Sequence, residues 1–264
     1  MTLSVAIVCC NEEANIGRTL ASVFEVADEI ILIDSGSTDR TLEIAASFGP
    51  KVKIFHEPWK GFAPQKNSAI AKAGCDWVLL LDADESLTPE LSDEIAALLK
   101  QAPAGPQAPV AYLLGRRNYE FGRWIRHGGY YPDPKLRLMR RGAGEVENCP
   151  VNEELKVSGP VGRLRSDFVH NSHTSLTEFM EHVNRYTSLA AQMKGARAFS
   201  VVDIVLRPAV NFIYNYFFRL GFLDGKEGLL VHLCHAMHVS LKYAKAWELG
   251  RRESHKSSGK ATAG

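Results

Sequence analysis

The stretch WVLLLDAD, residues 77–84, decides the fold that this sequence predicts. Its first five residues are apolar, and a short apolar run bounded by polar residues is typical of a buried β-strand. Asp82 and Asp84 follow that run directly. In open α/β sheets, ligands bind outside the carboxyl ends of the strands, so the sequence predicts that both aspartates lie on a binding edge.

The chain before this stretch alternates between strand and helix patterns. Three further apolar segments predict strands, at Leu3–Cys9, Glu29–Asp34 and Val52–Phe55. Helices are predicted from a cap at Asn11 to about Phe24, after Asp39 to about Gly49, over Gln65–Ala73, and from a cap at Thr88 to about Gln101. This alternation indicates an α/β fold with a mainly parallel sheet and right-handed crossovers.

The pattern changes after residue 101. Residues 102–109, APAGPQAP, predict a linker because Pro and Gly interrupt regular structure. Residues 110–169 have short strand patterns and an excess of Lys and Arg over Asp and Glu, and the chain from Leu176 onward has helical patterns. Residues 250–264 are polar and predict a disordered tail.

The composition restricts the class of protein. Apolar residues make up 45% of the 264 residues and charged residues 23%, as in an ordinary globular protein, and the net charge of +1 argues against a nucleic-acid partner. The five cysteines are an odd number with no Cys-x-x-Cys pair, which favours reduced, buried thiols and a cytoplasmic location. No uncharged apolar run reaches the length of about 18 residues that would predict a membrane span.

One segment nevertheless suggests contact with a membrane. Pro208–Leu223 is rich in aromatic residues, contains Arg219, and is flanked by Arg207 and Lys226. Such a segment is suited to peripheral contact with a membrane interface, and it is equally suited to packing between two helices.

Asp82 and Asp84 are the candidate ligands of a metal ion or a sugar. Two carboxylates this close at a strand end suit Mg²⁺ or Mn²⁺, which prefer oxygen ligands and complete their shell with substrate phosphates. Such an ion offsets the charge that develops on a departing diphosphate. The alternative is a solvated loop that ends where Thr88 starts the next helix.

Asp34 and Lys66 are further candidates in the first half of the chain. Asp34 ends the second predicted strand, where it could accept a hydrogen bond from a nucleoside or satisfy the backbone of its own turn. Lys66 lies near the start of a predicted helix, where it could meet a nucleotide or simply be solvated. The local sequence leaves both alternatives open.

The order of the motifs resembles glycosyltransferase family 2. In the first half, the segments that carry the resemblance are SVAIVCCNEE (4–13), ILIDSGSTDRT (31–41) and GFAPQKNSAIAKAGCDWVLLLDADE (61–85). The later segments resemble the branch of that family formed by the lipopolysaccharide inner-core β-glucosyltransferases. They are YYPDPKLRLMRR (130–141), VNEEL (151–155), VHNSH (169–173) and RLGFLDGKEG (219–228).

The resemblance implies a GT-A fold, which is similar to a Rossmann sheet, with a helical C-terminal extension. It divides the chain into a nucleotide-sugar-binding half (1–101), an acceptor-side half (110–174), a helical C-terminal region (175–249) and the disordered tail (250–264). It also implies an inverting, metal-dependent hexosyltransferase that uses Mg²⁺ or Mn²⁺ and moves glucose from UDP-glucose to a lipid-linked inner-core acceptor. Such an enzyme would be cytoplasmic, either free or peripheral on the inner face of the inner membrane.

The resemblance assigns roles to individual residues. Asp84 would hold the metal ion together with His170, and His173 is a weaker choice for the same role. The residues that would bind the nucleotide sugar are Asp34, Lys66, Asp82 and Arg137. Two or three of the remaining arginines would contact anionic groups of the acceptor, and the others would be solvated. These arginines are Arg116, Arg117, Arg123, Arg126, Arg140 and Arg141.

Two motifs depart from the pattern of the family. The Val-His-Glu motif that contains the catalytic base reads Val151-Asn152-Glu153 here, so Glu153 is the implied base and Glu154 the alternative. The usual Asp-Asp-Gly-Ser reads Asp34-Ser35-Gly36-Ser37, which leaves the identity of the nucleotide base open.

Three other functions compete with this one. The same chemistry could act on a polyprenyl phosphate or another surface glycan, or the chain could bind nucleotide sugars without catalysis. A nucleotidyltransferase would need a basic glycine-rich phosphate loop after the first strand, and residues 9–13, CCNEE, do not supply one.

Overall fold

The computed structural model describes residues 1–101, 105, 107–147 and 153–261, with side chains up to Arg252. Contacts divide the chain into two compact units. The first unit comprises Met1–Arg117 and Pro132–Asn171, and the second comprises Asn118–Tyr131 and Ser172–Gly264. Residues 102–104 and 106 of the predicted linker lie outside the described residues.

Strands dominate the first unit, and helices dominate the second. The strands in the described residues are β1 (Leu3–Cys9), β2 (Glu29–Asp34), β3 (Val52–His56), β4 (Trp77–Asp82), β5 (Glu85–Leu87), β6 (Ala111–Glu120), β7 (Arg123–Trp124), β8 (Pro134–Arg140), β9 (Gly144–Val146), β10 (Leu155–Val157) and β11 (Val161–His173). The α-helices are α1 (Ile16–Val23), α2 (Thr41–Ser47), α3 (Phe62–Lys72), α4 (Pro89–Lys100), α5 (Leu176–Lys194), α6 (Arg207–Ile213) and α7 (Gly225–Ala261). Two π-helical segments, Val202–Leu206 and Tyr214–Phe218, flank α6, and a 3₁₀ turn spans Gly221–Asp224.

The first part of the sheet consists of four parallel strands in the order β3-β2-β1-β4. The register aligns Cys9 of β1 with Asp34 of β2, and Val8 of β1 with Asp82 of β4. The predicted α/β class is therefore confirmed. β3 continues one residue beyond its predicted end, to His56.

The central strands bury both faces of the sheet. Successive side chains of a strand point to opposite faces. Leu79 and Leu81 of β4 therefore join the apolar cluster that contains residues of α1 and α4, while Val78 and Leu80 join the cluster that contains residues of α3. Burial on both sides explains why the stretch is apolar at every position instead of alternating.

The second part of the sheet is antiparallel, and it follows β4 in the order β8-β6-β11-β5. β4 pairs with β8, and β5 pairs with β11 so that His170 lies opposite Glu85. β7 pairs with β6, and β9 and β10 form a separate two-stranded sheet. Antiparallel pairing thus brings residues from the later part of the chain beside the strand end that contains the two aspartates.

The start of α1 differs from the prediction. The helix begins at Ile16, and Asn11 lies before it in the left-handed backbone region, with a φ of 56°. Asn tolerates this region better than most residues. The Asn11 N–H donates to Ser37 Oγ, and Asn11 Oδ1 accepts from the Thr38 N–H. Asn11 therefore connects the turns that follow β1 and β2 instead of capping the helix.

The second unit is built from the helices and from the loop that contains β7. Asp224, which belongs to the RLGFLDGKEG segment, is buried and accepts hydrogen bonds from the N–H groups of Arg126 and His127. Among the helices that the structure describes, none is long and apolar enough to cross a membrane. α7 extends to Ala261, past the point where the disordered tail was predicted to begin, and residues 262–264 lie outside the described part.

The described cysteines are free thiols, as predicted. They are Cys9, Cys10, Cys75 and Cys234, and Cys149 lies outside the described residues. Cys9 and Cys234 are buried, as predicted, but Cys75 is half-buried and Cys10 is exposed, because Cys10 lies beyond the end of β1.

Thr88 caps α4, as the sequence predicts. Its Oγ1 accepts a hydrogen bond from the Leu91 N–H at 3.2 Å, and the side chain is buried. Replacing Thr88 with Ala leaves that N–H without its acceptor, so we expect the free energy of unfolding in urea to fall by about 1 kcal/mol. Thr88→Ser keeps the hydroxyl and is the control. An Ala variant as stable as the Ser variant would contradict the cap.

Candidate active site

Two of the predicted site residues, Asp34 and Asp82, end strands that flank β1. The register places Asp34 beside Cys9 and Asp82 beside Val8. Because β1, β2 and β4 are parallel, their carboxyl ends meet at one edge of the sheet, where ligands bind in folds of this kind. The strand order therefore brings together two acids that lie far apart in the sequence.

Asp82 is held by two cations. Lys66 Nζ lies 2.6 Å from Asp82 Oδ1, and Arg137 Nη2 of β8 lies 2.9 Å from Oδ2. α3 begins at Phe62, earlier than the predicted Gln65, so Lys66 is the fifth residue of the helix and not its second. Burial by itself raises the pKa of Asp82, but Lys66 and Arg137 outweigh burial and hold the pKa well below its usual range.

Lys66 also contacts the implied base. Its Nζ lies 2.8 Å from Glu153 Oε1, and only 6% of the lysine side chain is exposed. Burial lowers the pKa of Lys66, but Asp82 and Glu153 outweigh burial and raise the pKa above its ordinary value. The lysine is therefore a fixed positive charge between two carboxylates.

The alternative base, Glu154, lies in different surroundings. It pairs with the exposed Lys156 at 3.1 Å, and its own side chain is mostly exposed. Glu153 is half-buried beside Lys66. The other two residues of the motif, Val151 and Asn152, lie outside the described residues.

Glu85 is a member of the site that the sequence-based assignment missed. Its Oε2 accepts a hydrogen bond from the Asp82 N–H at 3.0 Å, and its Oε1 accepts one from Arg137 Nη2 at 2.6 Å. Burial raises the pKa of Glu85, and Arg137 opposes that effect. The signal available in the sequence was an acidic residue at the first position of a short strand, directly after the two aspartates.

Asp84 and His170 form a second pair. Asp84 Oδ2 lies 3.3 Å from His170 Nε2, and the Asn171 N–H donates to the backbone carbonyl of Asp84. The pairing of β5 with β11 produces this proximity. Burial lowers the pKa of His170, but the Asp84 carboxylate outweighs burial and raises the pKa above its ordinary value.

The Asp84–His170 pair fits part of a metal site. A carboxylate oxygen and an imidazole nitrogen this close can share a divalent cation in place of a proton. The described residues contain no group of three or more His, Cys, Asp or Glu side chains that could enclose a metal ion. Mg²⁺ commonly uses one or two carboxylates and completes its shell with water and substrate phosphates. The pair therefore suits a cation that binds together with an anionic substrate.

His173, the weaker alternative ligand, has its own partner in the second unit. Its Nδ1 lies 2.9 Å from Glu120 Oε2, and its ring packs against Phe179. His173 therefore links β6, through Glu120, to α5, through Phe179.

Asp34 is nearly inaccessible and accepts several hydrogen bonds. The Gly36 and Ser37 N–H groups donate to its carboxylate at 3.1 and 3.0 Å, and His56 Nδ1 lies 3.3 Å away. Burial raises the pKa of Asp34, but the hydrogen bonds from Ser37 and Gly36 outweigh burial and lower it. Asp34 therefore satisfies the backbone of its own turn, which is one of the two alternatives that the sequence left open.

Several arginines expected to contact the acceptor have acidic partners in the first unit. Arg116 contacts Asp133 Oδ2 through two nitrogens, at 2.7 and 2.8 Å, and Arg117 lies 2.9 Å from Asp167. Arg137 differs because it belongs to the cluster around Asp82. Its Nε is buried and has no hydrogen-bond partner among the described residues.

The chain is similar to known glycosyltransferases over nearly its whole length. The sequence model of the family described as Glycosyl transferase family 2 matches residues 4–151. The chain is 30% identical over 260 residues to the lipopolysaccharide core biosynthesis glycosyltransferase LpsC of Rhizobium meliloti, and the match covers 94% of this chain and 93% of that protein. It is also 30% identical over 263 residues to an uncharacterized glycosyltransferase of Rickettsia typhi, with 94% and 87% covered.

The fold resembles that of solved structures. The crystal structure of residues 1–349 of S. aureus TarS in complex with UDP-GlcNAc matches with a TM-score of 0.50 and 16% identity, and covers 98% of this chain and 92% of that one. TarS 1–349 in another crystal structure gives the same TM-score at 14% identity, with 93% and 92% covered. At this identity the likeness concerns the fold alone, and it confirms the predicted GT-A architecture.

Lys66 and Lys53 form ion pairs of equal length in different surroundings. Each Nζ lies 2.6 Å from a carboxylate oxygen, but the Lys66 side chain is 6% exposed and the Lys53 side chain 52%. We expect Lys66→Met to lower the free energy of unfolding in urea by about 3 kcal/mol, because it removes the partner of Glu153 and leaves Asp82 paired with Arg137 alone. Lys53→Met is the control and should cost about 0–1 kcal/mol. Equal losses would contradict this difference.

Proposed function

This chain belongs to glycosyl transferase family 2, and we propose that it is an inverting, metal-dependent hexosyltransferase that moves glucose from UDP-glucose to an inner-core acceptor of lipopolysaccharide. The observation that carries the proposal is the position of Lys66, which contacts both Asp82 and Glu153. One buried cation thereby joins the aspartate proposed to bind the donor to the carboxylate proposed to activate the acceptor.

In this proposal, the nucleotide sugar binds at Lys66, Asp82 and Arg137, and Asp34 holds the neighbouring turn through the hydrogen bonds that it accepts. Ammonium and guanidinium groups are strong donors to diphosphate oxygens, and two of them lie at this strand end. The Arg137 Nε–H, which is buried without an acceptor among the described residues, is a donor that a substrate oxygen could satisfy. The complex of TarS with UDP-GlcNAc, in a protein of the same fold, supports a UDP-sugar as the donor.

Asp84 and His170 would hold Mg²⁺ or Mn²⁺. The bound cation would offset the negative charge that develops on the departing diphosphate. His170 can ligate a cation only when its Nε2 is unprotonated, whereas Asp84 stabilises the protonated form. Metal binding and protonation of His170 therefore compete, so metal affinity should fall at low pH.

Glu153 would act as the general base. It takes the proton from the acceptor hydroxyl, whose oxygen forms a bond to the anomeric carbon. The bond from that carbon to the diphosphate oxygen breaks on the opposite face, so the configuration inverts and UDP leaves with the bonding electrons. Lys66 Nζ, 2.8 Å from Glu153 Oε1, orients Glu153. The pairing of Glu154 with the exposed Lys156 makes Glu154 the weaker candidate.

A lipid-linked acceptor is supported by the relative named for lipopolysaccharide core biosynthesis. The second unit also carries an exposed apolar stripe, in which five residues recur every three or four positions and so share one helix face. The stripe consists of Val202, Leu206, Val210, Ile213 and Phe217, which are 47–65% exposed.

The surroundings of the apolar stripe favour an anionic membrane as its partner. Arg207, Arg219 and Lys226 are exposed within or beside the segment, and Asp203 is the only acid between residues 199 and 223. Phe218, beside the stripe, is 75% exposed. Aromatic and aliphatic side chains bordered by cations suit the headgroup region of acidic phospholipids. We therefore place the enzyme on the cytoplasmic face of the inner membrane in this proposal.

The apolar stripe also favours a second candidate function, in which the acceptor is a polyprenyl phosphate with the same donor chemistry. A non-catalytic nucleotide-sugar-binding module is less favoured, because it gives no role to the contact between Glu153 and Lys66. Core oligosaccharide and polyprenyl phosphate, offered in competition, distinguish the two acceptors.

Release of UDP from UDP-glucose tests the reaction class, because water can act as a poor acceptor. We expect release with Mn²⁺ that EDTA abolishes and that Asp84→Ala loses. With a core oligosaccharide as acceptor, Glu153→Gln should lower the rate by about 10²–10⁴-fold through loss of the base. Glu154→Gln is the matched control and should keep its rate. UDP binding without turnover of any donor would favour the binding module.

Cosedimentation with lipid vesicles tests the membrane contact. We expect the protein to sediment with vesicles that contain phosphatidylglycerol, and less at high salt. Changing Phe217 and Phe218 to Ser should weaken binding by roughly tenfold or more, since each ring contributes buried apolar area. Val161→Ser, which changes an exposed apolar residue of the first unit, is the control. A double variant that binds like the wild type would refute the contact.

A further inference from the structure

Glu85 is a buried charged residue that none of the proposed catalytic or binding roles uses. It follows Asp84 directly, begins β5, and its side chain is 0% exposed. Burying a carboxylate is costly unless its partners compensate for the lost water. The partners of Glu85 therefore indicate its role.

Glu85 contacts Asp82 both directly and through Arg137. Its Oε2 accepts the Asp82 N–H at 3.0 Å, which closes the turn that contains Asp84. Its Oε1 accepts Arg137 Nη2 at 2.6 Å, and the same nitrogen donates to Asp82 Oδ2 at 2.9 Å. One guanidinium nitrogen thus bridges two carboxylates, and Glu85 is one of the two anchors that determine its position.

The balance of charge around Asp82 depends on this anchor. Lys66 approaches Asp82 Oδ1 at 2.6 Å while Arg137 approaches Oδ2. Without the Glu85 charge, Lys66 and Arg137 would have one fewer compensating carboxylate, and Arg137 would lose the closer of its two carboxylate partners. Arg116, whose Nη1 lies 4.0 Å from Glu85 Oε1, would be affected as well.

We infer that Glu85 is a positioning residue for the nucleotide sugar: it anchors Arg137, and through Arg137 and the Asp82 N–H it fixes Asp82 and the neighbouring Asp84. This inference rests on the proposed function. Binding groups must be held within about 0.5 Å of their productive geometry to be effective, and residues that support them achieve this through packing and hydrogen bonds. Glu85 itself touches neither donor nor acceptor.

Glu85→Gln tests the inference because it changes the charge and preserves the shape. The amide oxygen can still accept the Asp82 N–H, whereas the side chain no longer neutralises Arg137. We expect the Kd for UDP in the presence of Mn²⁺, measured by calorimetry, to rise about tenfold or more, as for other residues that support a binding site. The KM for UDP-glucose should rise in parallel, and the KM for the acceptor should not change.

Glu29→Gln is the matched control. Glu29 is also a nearly buried carboxylate of the first unit, it begins β2 at the opposite end of the strand from Asp34, and it accepts from the Gly74 N–H and from Lys53. We expect this variant to lose stability but to bind UDP like the wild type. If Glu29→Gln weakened UDP binding as much as Glu85→Gln does, the effect of Glu85 would be a general loss of stability and the inference would be wrong.

A double-mutant cycle covers the case in which Glu85→Gln does not fold. The pair Glu85→Gln/Arg137→Met removes both buried charges, and in Arg137→Met the buried Glu85 carboxyl can take up a proton, so both should fold. If Glu85 acts through Arg137, the two should have the same Kd for UDP, and a further loss in the double variant would overturn the inference. If the wild-type protein neither binds UDP nor hydrolyses UDP-glucose, the proposed function is wrong as well. If the wild type binds UDP and the Glu85→Gln variant has the same Kd for UDP, only the role of Glu85 is wrong.

Discussion

The balance of charge around Asp82 is the constraint on which the rest of the active site depends. Lys66 and Arg137 are both almost completely buried, and each needs a carboxylate close by because the interior cannot solvate it. Asp82 serves both cations, and Glu85 and Glu153 complete the compensation on either side. Removing any member takes one counter-charge away from at least one of its neighbours. The site is therefore a single electrostatic unit and not a set of independent ligands.

The two parts of the sheet contribute differently to this unit. The parallel strands align the carboxyl ends of β2 and β4 on either side of β1, which brings Asp34 and Asp82 to the same edge. The antiparallel strands then bring in the groups that complement the acids: β8 carries Arg137, and β11 carries His170 beside Asp84. The parallel strands thus place the acidic residues at the edge of the sheet where ligands bind in folds of this kind. The antiparallel strands place the guanidinium and imidazole groups next to those acids.

The second unit exposes apolar side chains to the solvent. A stripe of aliphatic and aromatic side chains lies exposed on the helix around α6, although no helix in the described part of the chain could span a bilayer. Exposed apolar surface of this extent normally marks an interaction site. In the proposed function this occupant is a membrane surface, which would account for the aromatic residues, the neighbouring cations and the near absence of acids in this segment. A transferase that acts on a lipid-linked saccharide benefits from such a surface because its acceptor is confined to the same plane.

The sequence by itself determined the α/β class, the strands that carry Asp34 and Asp82, the cap at Thr88 and the family, because these depend on local periodicity and on short motifs. It also indicated that Asp84 and His170 belong together, through the resemblance. Only the tertiary structure decided that Lys66 contacts Asp82 and Glu153 at once, that Glu85 anchors Arg137, and that Asn11 joins two turns instead of capping α1. Contacts of this kind depend on strand register and on which buried charges compensate one another. Those relations link residues far apart in the chain, and local sequence carries no information about their distance.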